Sequence, residues 1–110
     1  MGGNLVVERE WTFPVAIDEV QIRCRYRRQG KPILQYTVQS EIWSGNNWQP
    51  VIRFDNAHGF CHCDTLHADG SQDKTPIYRG DANANFTWAI DELRANWQSH
   101  QQRFLAEVKS

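Results

Sequence analysis

With 110 residues, 40% of them hydrophobic and 23% charged, the chain has the composition of one globular domain with a single modest core, so disorder is not the default. A formal net charge of −1 excludes a uniformly basic nucleic-acid binder, though not a local basic patch. No apolar run approaches the roughly 20 residues that span a bilayer, and the start, MGGNLVVEREW, lacks the basic-then-apolar order of a signal peptide.

Three cysteines are an odd number, and Cys61 and Cys63 stand too close for an ordinary bridge, so reduced thiols in a cytoplasmic protein are expected. There is no internal repeat and no linker, so residues 1–110 read as one domain.

In chain order, Leu5, Val7, Trp11 and Phe13 alternate with polar neighbours and predict a first strand that Pro14 ends. In VQIRCRYRR, Val20, Ile22, Cys24 and Tyr26 face one way while Gln21, Arg23, Arg25 and Arg27 face the other. PILQYTVQSEIW sets Leu34, Tyr36, Val38 and Ile42 against Gln35, Thr37, Gln39 and Glu41. WQPVIRFD sets Trp48, Pro50, Ile52 and Phe54 against Gln49, Val51, Arg53 and Asp55. Period-2 alternation on successive segments predicts an antiparallel meander with one buried face, joined through the glycine-containing loops QGK and SGN. Residues 68–82 read as a loop. From about Asn83, Phe86, Ile90, Leu93, Trp97, Phe104 and Val108 recur at helical spacing, with Asp81, Asn83 or Asn85 as the cap. The fold expected is α+β, a meander of four or five strands with a long C-terminal helix packed on one face.

Apolar matching sets the expected registers: Tyr26 opposite Leu34, Ile42 opposite Trp48, Val38 opposite Ile52, and a tight turn at Ala57-His58 that places Asp55 opposite Phe60. Cys61 and Cys63 then point into the core. The open face carries Arg23, Thr37, Arg53 and His62 in one row, with Arg25, Gln35, Asp55 and Phe60 beside it, Asp64 further along and His58 in the turn.

Histidine suits proton transfer at neutral pH, and the planar fork of arginine suits phosphate. Metal-independent RNA cleavage needs both. The catalytic candidates are therefore His62, His58, Arg53 and Asp55, with Arg23 and Arg25 as substrate-binding cations and no cofactor. A plain polar sheet surface, serving a non-catalytic interaction module whose tryptophans meet a partner, is the competing reading. A third is zinc on His58, Cys61, Cys63 and His67, although alternate residues of one strand stand roughly 6–7 Å apart, too far to clasp one ion without a bend.

The stretch Arg53-Phe54-Asp55-Asn56-Ala57-His58, followed by His62 and His67, resembles the arginine–aromatic–Asp–Asn–Ala–His core of the TumE-type bacterial toxins and related uncharacterised families. Those toxins tend to carry a proline and more histidines after the core, where this chain has GFCHCDTLHADG, a departure that suits a sister family. The resemblance implies a toxin of a type II toxin–antitoxin pair, acting in the cytoplasm and neutralised by a protein antitoxin. It makes Arg53, Asp55, His58 and His62 the active residues. The partners expected are a protein antitoxin, RNA and a second copy of the chain, with no membrane.

Overall fold

The computed structural model describes residues 5–57, 59–77 and 80–109. Six antiparallel strands run as a meander in sheet order β1-β2-β3-β4-β5-β6, and one helix follows. The strands are β1 (Val6–Ala16), β2 (Val20–Gln29), β3 (Ile33–Ser44), β4 (Asn47–Asp55), β5 (His62–Leu66) and β6 (Gln72–Pro76). The helix α1 spans Ala82–Lys109 and packs on β2, β3 and β4. The α+β architecture expected from the alternation is the one observed.

The core lies between the sheet and α1. Val20, Ile22, Cys24, Tyr36, Val38, Ile42, Ile52 and Phe54 come from the sheet, and Phe86, Ala89, Leu93 and Phe104 from the helix. Ile90 and Trp97 are partly buried at its border, whereas Val108, at the end of the stripe, is exposed. Trp88, off the main stripe, packs its ring edge-on to Phe54 at 5.2 Å. Asp81 is the N-cap, its Oδ1 accepting from the Ala84 N–H at 2.9 Å. Asn83 instead ties the helix start to the β2–β3 loop, accepting from Ile33 N and donating to Lys31 O.

The alternation predicted which residues share a face, but several neighbours differ. Pro14 does not end β1, which runs on to Ala16 with a register shift between Pro14 and Ala16. As an edge strand, β1 tolerates the missing N–H. Tyr26 pairs with Tyr36 rather than Leu34 because the turn closes one residue tighter than expected, with Gln29 N bonded to Pro32 O, and a bulge next to Arg27 and Arg28 leaves Leu34 as an extra residue on β3. Ser44 pairs with Asn47 across a two-residue turn in which Gly45 and Asn46 both have positive φ, 64° and 67°. That is the turn whose twist matches a hairpin. It makes Trp43, not Ile42, the partner of Trp48. A bulge beside Ser40 and Glu41 then inserts Val51, so Ile52 pairs with Ser40 and Phe54 with Val38. Val51, expected on the polar side, is fully buried.

A bulge leaves its extra residue without ladder partners. The Val51 carbonyl is satisfied from the helix, where Arg103 Nη2 donates to it at 2.6 Å and Nη1 reaches Leu66 O at 2.8 Å. At the other bulge, Asn56 stands in for a missing ladder rung. Its Oδ1 accepts from Tyr36 N at 2.9 Å and its Nδ2 donates to Leu34 O at 3.1 Å.

β6 occupies part of the segment expected to be a loop. All five of its residues are exposed, so no apolar alternation marks it. A short polar edge strand bearing Asp73, Lys74 and Pro76 is also a means of discouraging edge-to-edge association.

Arg103→Ala should leave the Val51 and Leu66 carbonyls unpaired and cost about 1–3 kcal/mol in urea denaturation. Arg9→Ala, on the exposed edge, should stay within about 0.5 kcal/mol of the parent chain.

Candidate functional site

The connection from β4 to β5 decides the site. Instead of a tight turn at residues 57–58, the chain leaves β4 after Asp55 and re-enters at His62, with Gly59 N bonded to Asn56 O. The register therefore sets Asp55 opposite His62 and Arg53 opposite Asp64. Because the shift from expectation is two residues, the same side chains stay on the open face but meet different partners. One open-face row reads Arg25, Thr37, Asp55, His62 and Pro76; the next reads Arg23, Gln39, Arg53, Asp64 and Lys74.

In the middle of these rows is a compact ionic network. His62 Nε2 stands 2.8 Å from Asp55 Oδ1. A carboxylate only accepts, so Nε2 carries the proton. The Asp55 Oδ1 also accepts from Ala57 N at 3.2 Å. Arg53 spans both aspartates, with Nε 3.3 Å from Asp55 Oδ2 and Nη2 3.0 Å from Asp64 Oδ2. Lys74 Nζ pairs with Asp64 Oδ1 at 3.1 Å. Burial works to raise the Asp64 pKa, but the bonds from Arg53 and Lys74 outweigh it and hold the carboxyl below its usual value.

Although this face lacks a helix, His62 and Asp64 are each only 1% exposed. Phe60, expected to stand opposite Asp55 in the strand, lies in the loop instead, its ring edge-on to His62 at 5.8 Å and half exposed itself. Arg53 is partly buried.

Asp55, His62 and Asp64 also bring three ligand-type atoms within 4.8 Å of one another. Two carboxylates and an imidazole would suit a divalent ion. Here Arg53 bonds to both carboxylates and Lys74 to one, so an ion would have to displace them. The Cys–His set is not assembled in this way. Cys61 is buried, Cys63 is partly buried, and His67 is held between Asp73 at 2.8 Å and Glu107 at 2.7 Å. Asp55, His62 and Asp64 form the only such three-ligand group among the described residues. His58 lies outside them.

The two substrate-binding candidates differ. Arg23 is bonded to Glu41 at 3.0 Å and to Glu10 at 3.3 Å. The Glu41 carboxylate also receives Gln21 at 2.7 Å and Gln39 at 2.6 Å. Arg25 is exposed and lines a shallow cavity with Arg27. Lys74 was missed from the sequence because its strand was read as a loop, and Asp64 because its partner, Arg53, was paired elsewhere.

The family described as "Domain of unknown function (DUF7718)" matches residues 6–110. The chain belongs to this family. No curated protein and no solved structure matches it. No helix among the described residues of this DUF7718 member is long and apolar enough to cross a membrane.

Two outcomes follow from the environments of the titrating groups. With its pKa depressed, Asp64 stabilises the fold in full above the unfolded value near about 3.9, and this is lost as pH falls through the lower folded value. Asp64→Asn should therefore be less stable than the parent at neutral pH and show a shallower loss of stability in acid, read by urea midpoints between about pH 6 and 2. Burial pushes the thiols of Cys24 and Cys63 up to about 11, and raises Cys61 as well. A thiol-reactive dye at neutral pH should thus label the native protein slowly and all three cysteines promptly in denaturant.

Proposed function

We propose that the protein is a metal-independent endoribonuclease, the toxin of a type II pair, acting in the cytoplasm and restrained by a protein antitoxin. The observation that carries this reading is the His62–Asp55 pair at 2.8 Å, set beside Arg53 on the open sheet face. The toxin assignment itself rests on the Arg53–His58 resemblance. An aspartate that fixes the tautomer and orientation of a histidine is the usual support for a proton-transferring imidazole.

In this mechanism His62 takes the proton of a ribose 2′-hydroxyl, whose oxygen attacks the adjacent phosphorus. The 5′-oxygen leaves and takes up a proton from an acid, the role assigned to His58. Arg53, which bridges the two aspartates, must release one of them to offer positive charge to the phosphoryl oxygens as they gain charge. Phe60 must swing aside for RNA to reach His62.

One observation favours the non-catalytic interaction module. His62 and Asp64 are almost wholly buried, as in a structural ion network rather than a working site.

The deciding experiment follows cleavage of a labelled single-stranded RNA by the purified full chain. Growth and total RNA are followed on tightly controlled expression. His62→Gln, chosen to keep the bulk of the side chain, should lower the cleavage rate by about 10²–10⁴. Arg53→Lys should impair it with the fold retained. Intact RNA and normal growth with folded wild type would move the assignment to the interaction module.

A further inference from the structure

The open face has a second basic cluster that takes no part in the Arg53–His62 network. Arg25 and Arg27 are two residues apart on β2, so they project to the same side about 6–7 Å apart. Across on β3, Thr37 pairs with Arg25 and Gln35 with Arg27. These four, with Asn56 and Ala57 just past the end of β4, line a cavity of about 160 Å³.

The other two arginines on this face are already neutralised, Arg23 by Glu41 and Glu10 and Arg53 by Asp55 and Asp64. Among the described residues, no carboxylate pairs with Arg25 or Arg27. Glu10 stands opposite Arg25 in the ladder, but its carboxylate bonds to Arg23. Glu8 stands opposite Arg27 without forming an ion pair.

We propose that this cavity seats one phosphate group, and that, on the reading of the face as an RNA-handling surface, it holds a phosphate neighbouring the one that is cleaved. Two adjacent guanidinium forks match phosphate oxygens in geometry and charge. The Thr37 hydroxyl and the Gln35 amide add uncharged donors at the rim. Size sets the class of ligand. The cavity is smaller than the roughly 300 Å³ at which pockets begin to enclose a drug-sized molecule, so it receives a single charged group of something that lies mostly outside. Its position fits a neighbouring phosphate. Thr37 pairs with Asp55, the residue that bonds to His62, yet β3 and β5 are two strand spacings apart, roughly 10 Å. That is too far for the seated phosphate to be the one His62 acts on. The same chemistry would serve a free phosphate ion.

The test measures binding of two probes to the full chain: inorganic phosphate, and a short 2′-O-methyl oligouridylate, which lacks the attacking hydroxyl and cannot be cleaved. The double variant Arg25→Gln/Arg27→Gln is compared with wild type and with Arg9→Gln, which removes a charge elsewhere on the sheet. For the seat, the double variant should bind the oligonucleotide at least about tenfold more weakly at low salt, with a salt slope shallower by about 0.7 per phosphate lost. Arg9→Gln should match wild type. Saturable binding of inorganic phosphate, lost in the double variant without any oligonucleotide binding, keeps the seat and assigns it to a free ion. Equal binding by wild type and the double variant, equal losses in both variants, or no binding of either probe by wild type overturns the proposal.

Cleavage separates this proposal from the nuclease reading. Binding through Arg25 and Arg27 with no cleavage by wild type removes the nuclease and keeps the seat. Cleavage with unchanged KM in the double variant does the reverse.

Discussion

The guanidinium of Arg53 is the contact on which the open face depends. Asp55 and Asp64 come from adjacent strands and are both nearly buried. Two carboxylates so placed would repel each other and lose hydration. Arg53 answers both costs by bonding to one oxygen of each, and Lys74 bonds to a remaining oxygen of Asp64. With two negative and two positive charges in balance, His62 can pack among them with its Nε2 directed at Asp55 Oδ1. The order of dependence runs from the β4–β5 register, which sets Arg53 opposite Asp64, through the ion network, to the orientation of the imidazole.

How that register arises explains what was legible in the sequence and what was not. Alternation reports the face a side chain occupies, because its period is two; it does not report the neighbour. At the β2–β3 and β4–β5 hairpins the observed pairing differs from the expected one by two residues, which preserves every face and changes every contact. At β2–β3 the bulge at Leu34 supplied one residue of the shift and the tighter turn between Gln29 and Pro32 the other. The longer loop after Asp55 supplied the shift at β4–β5, with Asn56 spending its side chain on the backbone of β3. Arg23, Arg25, Arg53, Asp55 and His62 were thus assigned to one face from sequence alone, whereas the His62–Asp55 and Arg53–Asp64 pairs needed the structure. β6 was illegible for a different reason. Its residues are all exposed, so burial left no pattern in them, and with the strand went Lys74.

The same limits hold at the end of the helix remote from its cap. Glu107 accepts from Ala68 N and bonds to His67, while Arg103 reaches the Val51 and Leu66 carbonyls. His67 looked like a metal ligand because it follows two cysteines at short spacing. In the fold its two ring nitrogens meet Asp73 and Glu107, so it joins the β5–β6 turn to α1. Its pKa is raised by those bonds, first to Asp73 and then to Glu107. The stability it lends is present below its unfolded pKa and is lost as pH rises through the folded value. Asp64 works in the opposite sense, losing its contribution in acid. The two ionic clusters therefore draw the pH of greatest stability inward from both sides.

The open face divides into a neutralised part and an uncompensated part, and that division bears on function more than any one residue. Arg23 and Arg53 are committed to carboxylates, so neither can take up an external anion without giving up a partner inside the protein. Arg25 and Arg27 give up nothing but water. An incoming phosphate would therefore settle first on β2, with Asp55 and His62 further along the same row and the ring of Phe60 edge-on to His62. It is this adjacency, more than the burial of His62, that sets the direction in which a ligand would approach.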